Sequence, residues 1–251
     1  MTRHLYLLTG ASRGMGLAMA EQLLSARHFV LCISRHTNET LAARAAPLGA
    51  SLEQWALDLE DGVAAAARLA RWLGSRPAGS FDGATLINNA GVMPRLAPLS
   101  DADPADLARA LRVGLEAPML LTAAFLRATQ TWKLPRKVLN ISSGLGRRAM
   151  ASQAGYCAAK AGMDHFTRCL ALDEARKVHG AKVCSLAPGV IDTDMQQQLR
   201  GADASDFPDQ GHFFELKASG QLTSPAAAAS RVLAYLARPD FGRDPIGDVR
   251  D

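Results

Sequence analysis

Short, nearly continuous apolar runs alternate along the chain with stretches in which apolar residues recur at helical spacing. The first run, residues 5–8, breaks at Thr9-Gly10 and is followed by Leu17, Ala20, Leu23 and Leu24, so the pattern predicts a strand, a glycine-rich turn and a helix. Residues 29–33, 52–57, 85–87, 137–141 and 182–186 predict five more strands, the last ended by Pro188-Gly189. Residues 63–73, 105–127 (with Pro118 inside) and 155–174 predict helices between them. Strands that are apolar throughout, rather than at alternate positions, belong in a parallel sheet with helices on both faces. A doubly wound α/β sheet follows, and ligands of such sheets sit outside the carboxyl ends of the strands. No repeat, low-complexity block or long linker divides residues 1–251, so one domain is expected.

Composition narrows the class without changing that picture. The 251 residues are 48% hydrophobic and 21% charged, which excludes disordered and fibrous classes, and a chain of this size buries enough surface to need no disulfide or metal staple. Cys32, Cys157, Cys169 and Cys184 form no C-x-x-C pair and no metal-ligand set, which suits a reduced compartment. The net charge of +4 is scattered, with no basic run to mark a nucleic-acid partner. No apolar stretch approaches a membrane span or a signal sequence, so a cytoplasmic protein is expected.

Candidate chemistry begins in Gly10-Ala11-Ser12-Arg13-Gly14-Met15-Gly16, where glycines let the backbone approach a pyrophosphate held at the positive end of the following helix. Standing alone, such glycines also describe a merely tight strand-to-helix turn. The second strand ends in Ser34-Arg35, where an acid would normally accept from both ribose hydroxyls of NAD. Arg35 and Arg13 can instead pair with a 2′-phosphate and Ser34 can donate to it, which favours NADP(H); as plain solvated arginines they would have no such role.

Six ordered motifs resemble the short-chain dehydrogenases/reductases: Thr9-Gly10-x-x-x-Gly14-x-Gly16, Asp58-Leu59, Asn88-Asn89-Ala90-Gly91, Ser143, Tyr156-x-x-x-Lys160 and Pro188-Gly189. Each falls at the carboxyl end of a predicted strand or in the adjoining helix. The resemblance implies a Rossmann-type fold in which Asp58 and the Leu59 backbone meet the adenine. Asn89, Ala90 and Gly91 would line the ribose, and Pro188, Gly189, Val190, Ile191 and Thr193 would hold the nicotinamide and its phosphate. Asn88 would tie neighbouring strands together. Within the family, the segments around Ser143, Tyr156 and Asp194 are most similar to the sepiapterin reductase and benzil reductase group.

A carbonyl that accepts hydride becomes an alkoxide and needs a proton donor. Tyr156 and Lys160, four apart on a helix, share a face, so the ammonium is expected to acidify the phenol. The resemblance makes Ser143, Tyr156 and Lys160 catalytic, with Lys160 also on the nicotinamide ribose. Ser142 is the rival to Ser143, and the family's thirteen-residue offset to the tyrosine selects Ser143. Cys157 reads as a small packed residue rather than a nucleophile. One position departs from the family: many members carry an asparagine on the long helix, in a proton relay, where this chain has Gly114. A glycine within a helix costs about 1 kcal/mol against alanine, so a kink or an added water is expected there.

Residues 196–224 correspond to the family's substrate lid. Phe207, Phe213 and Phe214 suit either an aromatic carbonyl or packing of the lid itself. The function implied is NADPH-dependent reduction of a ketone or aldehyde, with an aromatic or vicinal dicarbonyl favoured. The alternatives are an NAD(P)-dependent alcohol dehydrogenase and a non-catalytic NADP(H) sensor. A homodimer or homotetramer is implied. The tail 241–250 resembles a family ending that forms a seventh strand, which Pro245 and its shortness argue against.

Overall fold

The structure, a computed structural model, describes residues 3–77 and 79–251. Strands β1 (Arg3–Thr9), β2 (His28–Ser34), β3 (Ser51–Ala56), β4 (Phe81–Asn88), β5 (Arg136–Ile141), β6 (Lys182–Ala187) and β7 (Ile246–Asp248) form one parallel sheet in the order β3-β2-β1-β4-β5-β6-β7. The crossovers run outward from β1 in one direction and from β4 in the other. The topological switch point therefore lies between these two strands, where the crevice of a doubly wound sheet opens.

Successive side chains of a strand point to opposite faces, and the two cores follow that alternation. Leu5 and Leu7 of β1 join Leu31, Ile33, Leu86 and Val138 beneath α3 (Gly62–Gly74) and α5 (Ala117–Ala128). Leu8 joins Val30, Ile87, Leu139 and Leu186 beneath α1 (Gly14–Leu23) and α9 (Pro225–Ala237). Burying a side chain such as Phe125, which is wholly enclosed, contributes roughly 1.5–3 kcal/mol.

Four differences from the sequence expectations stand out. A helix α2 (Glu39–Ala45), capped by the Asn38 side chain on the Leu41 amide, was not expected, nor was α9, capped by Ser224 with Pro225 in its first turn. The long central helix is divided into α4 (Pro104–Leu111), a π-helical segment at Arg112–Glu116, and α5. Gly114 sits in the π segment, so its local accommodation is a change of helical register. The seventh strand does form: Pro245 precedes it and uses only its carbonyl, which accepts from the Ser185 amide at 2.8 Å.

Helix α6 (Ala154–Ala175) follows β5, and α7 (Asp194–Arg200) and α8 (Gln210–Ala218) follow β6. No helix among the described residues is long and apolar enough to cross a membrane.

Candidate active site

At the end of β1 the chain turns under close constraint. Gly10 has φ +69°, and a Cβ there would lie 2.9 Å from the Cα of Ala90; one on Gly16 would lie 2.0 Å from the Gly10 carbonyl oxygen. Only glycine permits both approaches. The turn is fastened to the segment after β4: Thr9 Oγ1 accepts from the amides of Asn89 (2.9 Å) and Ala90 (3.0 Å). In return, Asn89 Nδ2 donates to the carbonyls of Thr9 (3.0 Å) and Gly10 (3.2 Å). The side chain of Asn89 thus shapes the turn from within, while Asn88 Nδ2 links β4 to Asn140 of β5 (2.8 Å) and to Thr122 of α5 (3.1 Å). No side chain caps the start of α1, which leaves its first-turn N–H groups facing the cleft above the sheet.

Every sequence-predicted site residue borders that cleft, which has a volume of about 1430 Å³. At one end, Ser34 donates its hydroxyl to the His36 carbonyl (3.0 Å), Arg13 pairs with Asp194 (2.9 Å), and Arg35 is exposed with no ionic partner among the described residues. Asp58 accepts from the Glu60 amide through Oδ1 (3.0 Å), and Leu59 beside it is buried. Met15 packs into the core behind the turn while still bordering the cleft, as do Ser12 and Gly14. Across from them, Pro188, Gly189, Val190, Ile191 and Thr193 follow β6. The Val190 carbonyl accepts from the Thr223 amide at 2.9 Å, which joins this wall to the far end of the 196–224 segment.

The other end is enclosed. Tyr156 and Lys160 are 9% and 4% exposed on α6, and Lys160 Nζ donates to the Ile141 carbonyl at 2.7 Å while lying 5.7 Å from the Tyr156 ring centre. Ser143, two residues beyond β5, lies close enough to the Tyr156 phenol to draw its pKa down, and its hydroxyl oxygen accepts from the Leu145 amide at 3.2 Å. Both serines border the cleft, but Ser142 is 3% exposed and donates its hydroxyl to Asp164 at 2.6 Å, so Ser143 is the one whose hydroxyl proton is not spent inside the fold.

The expected acidification of Tyr156 by Lys160 is not what the structure has. Burial pushes the Tyr156 phenol up to about 12 against a downward pull from the Ser143 hydrogen bond. Burial likewise brings the Lys160 ammonium down to about 8, opposed by the nearby charge of Asp164. Tyr156 is therefore a proton-bearing phenol throughout the neutral range, and Lys160 is the group that titrates near it. Burial also pushes the neighbouring Cys157 thiol up, which disfavours a nucleophilic thiolate.

Beyond this triad the cleft is lined by Met93, Leu145, Met150, Leu199, Phe213 and Leu216. Phe207 and Phe213 stack at 5.7 Å in a small core with Leu96 and Leu199; Phe213 also borders the cleft, Phe207 does not, and Phe214 is exposed. Packing thus claims most of the aromatic signal. Sequence reasoning missed Gln196, a 6% exposed cleft residue whose Oε1 has no hydrogen-bond partner, and Asp164 behind the triad. The first of three consecutive glutamines carries no signal that it alone is buried; Asp164 did, lying four residues after Lys160 on the same helix face. No cluster of His, Cys, Asp or Glu among the described residues could hold a metal ion.

Known proteins are similar to this chain in sequence and in fold. The family profile described as short chain dehydrogenase matches residues 4–204. Benzil reductase ((S)-benzoin forming) of Bacillus cereus is 35% identical over 243 residues, 97% of this chain and 96% of that protein. Sepiapterin reductase of Bos taurus is 31% identical over 254 residues, covering 95% and 91%. The crystal structure of a metagenomic short-chain oxidoreductase in complex with NADP matches with a TM-score of 0.72 at 28% identity, over 98% of this chain and 95% of that one. With its glycine turn, its Ser143, Tyr156 and Lys160 and its sheet order in place, the chain belongs to the short-chain dehydrogenase family.

Proposed function

We propose that this protein is an NADPH-dependent carbonyl reductase that converts a ketone or aldehyde, by preference an aromatic or vicinal dicarbonyl, to the alcohol. The observation that carries the reading is the burial of Tyr156 and Lys160, beside the half-buried Ser143, at one end of a cleft whose other end presents Arg13 and Arg35 and no acid after β2. The residues fit a dinucleotide: Gly10 and Gly16 let the turn after β1 fold tightly against Ala90 and the Gly10 carbonyl, and the start of α1, with no side-chain cap, borders the cleft with its first-turn N–H groups. Arg35 and Arg13 would hold a 2′-phosphate, Asp58 and Leu59 the adenine, Asn89, Ala90 and Gly91 the ribose, and Pro188 to Thr193 the nicotinamide side.

When bound, the reduced nicotinamide supplies a hydride. Tyr156 holds a proton on its hydroxyl and delivers it to the substrate oxygen as negative charge develops there. Ser143 donates a hydrogen bond to the same oxygen and fixes its position against the phenol. Lys160, charged below about pH 8, stabilises the phenolate left after transfer, and the apolar walls from Met93 to Leu216 exclude water. The segment 196–224 acts as the substrate lid. Exposed Met119 on α5 and Leu172 on α6 support a homo-oligomer formed across those helices, which sedimentation tests.

The deciding experiment follows NADPH oxidation by purified protein with aromatic diketones, sepiapterin and simple aldehydes, with NADH alongside. Turnover that prefers NADPH and is lost in Tyr156→Phe is expected. Tight NADPH binding with no carbonyl reduced would overturn the reading in favour of a sensor.

A further inference from the structure

We propose that Asp164 is a positioning residue whose buried carboxylate fastens the segment carrying Ser143 to the helix carrying Tyr156 and Lys160, and so sets the hydroxyl against the phenol. Asp164 lies one turn beyond Lys160 on α6 and is 2% exposed. Its Oδ1 accepts from Ser142 Oγ at 2.6 Å and from Ser185 Oγ at 2.7 Å, and its Oδ2 accepts from Arg147 Nε at 3.3 Å. Ser142 and Arg147 bracket Ser143, so one carboxylate pins the catalytic serine's segment on both sides. Ser185 ties the same group to β6. Arg147 extends the connection to the sheet edge, where its Nη2 donates to the Gly247 carbonyl of β7 at 2.7 Å.

A buried carboxylate is costly unless donors satisfy it, and here three do. An amide of the same shape has one acceptor oxygen, and its NH2 would face the Arg147 donor, so the bracket needs the acid. The charge has a second consequence. Lys160 meets the charge of Asp164 from its own helix. Cys184 of β6 meets the charges of Arg147, Asp164 and Asp244, with the Tyr235 hydroxyl of α9 beside it, while Asp248, paired with Arg250, faces Arg147 from the β7 side. Among these, Asp164 is the negative charge that sustains the Lys160 ammonium.

The test compares Asp164→Asn and Ser142→Ala with the parent protein. Its kinetic arm rests on the reductase reading, with NADPH and an aromatic diketone as probes. Its second arm, hydrogen exchange of residues 142–148, needs no turnover. In Asp164→Asn, kcat is expected to fall about tenfold or more with little change in KM, because a small misplacement of catalytic groups is amplified in rate. The alkaline limb of the rate profile should move down by about one pH unit as Lys160 loses its counter-charge. Exchange over 142–148 should quicken while β1 and β4 stay protected. A purely structural residue would lower stability and leave the alkaline limb in place. Ser142→Ala keeps the charge and is expected to lower kcat and loosen 142–148 without moving the limb; it decides the matter if Asp164→Asn does not fold. Parental kcat, limb and exchange in a folded Asp164→Asn, or parental kcat and exchange in Ser142→Ala, would overturn the proposal. A parent that reduces no carbonyl would count against the reductase reading, leaving exchange to judge Asp164.

Discussion

At the enclosed end of the cleft, Tyr156 and Lys160 are almost wholly removed from solvent, and Lys160 Nζ is tied to the Ile141 carbonyl; at the open end, Arg35 stands in solvent and Arg13 is 70% exposed, paired with the equally exposed Asp194. The two ends face different physical demands. Proton transfer depends on sub-ångström placement and on a medium of low dielectric, so its groups are buried and cross-linked. Recognition of a phosphate depends on charge and on a planar fork of donors, which a solvated arginine supplies while remaining adjustable. Burial also has a cost that only the enclosed end bears: it shifts both of the groups that chemistry uses, the phenol upward and the ammonium downward.

The strongest way to break the contrast is Tyr156→Phe, which removes the proton and little else. A loss of about 10²–10⁴ in kcat with NADPH affinity retained is expected in steady-state kinetics and equilibrium titration. A charge reversal at the open end, Arg35→Asp, should act on the complementary quantity. The NADPH-to-NADH ratio of kcat/KM should fall by about 10–100-fold, the value of one or two charge-assisted hydrogen bonds, with kcat itself nearly constant. If Arg35→Asp lowered kcat instead, the separation of roles between the two ends would be wrong.

A third prediction follows from Lys160. Its ammonium titrates at about 8 in the folded protein, so reduction should slow as pH rises through that value, with the phenol still protonated. Stability should respond in the opposite sense. The folded-state value lies below the 10.5 of the exposed group, so the unfolded chain binds the extra proton between about pH 8 and 10.5. This residue's penalty on folding is fully present below pH 8 and is relieved across that window. Denaturant melts of Lys160→Met, which carries no such proton, should lose this contribution. The smallest effect belongs to Gly114→Ala. The added Cβ would sit 3.2 Å from the Ala159 Cβ, so crowding offsets the helix propensity gained, and stability should change by no more than about 1 kcal/mol in a thermal melt.

Legibility in the sequence followed the same division. The inner strands were readable because they are largely buried and carry nearly continuous apolar runs, β3 at the edge being half-buried and more polar, and the motifs at their carboxyl ends marked the cleft. The three-residue β7 was raised only by the resemblance of the tail and doubted for Pro245 and its shortness, since Gly247 and Asp248 disfavour a strand; the edge of β6 imposes it through Ser185 and Ala187. The π segment was equally hidden, because an apolar pattern over residues 105–127 does not distinguish one register from another. The site residues were legible as identities but not as partners. Asn89 gave no sign that its amide would be spent on the Thr9 and Gly10 carbonyls, and Ser142 and Ser143 differ only in where the end of β5 points them.

The clamp between Thr9 and Asn89 also bears on how the chain reaches this state. Its partners are 80 residues apart, so the glycine turn, for all its local sequence character, has no means of setting until β4 has found its place beside β1. Closing so long a loop before any reward is gained makes folding slow, and parallel pairing at that separation raises contact order further. The phosphate cradle, encoded at the start of the chain, is on this account among the later features to become ordered during refolding.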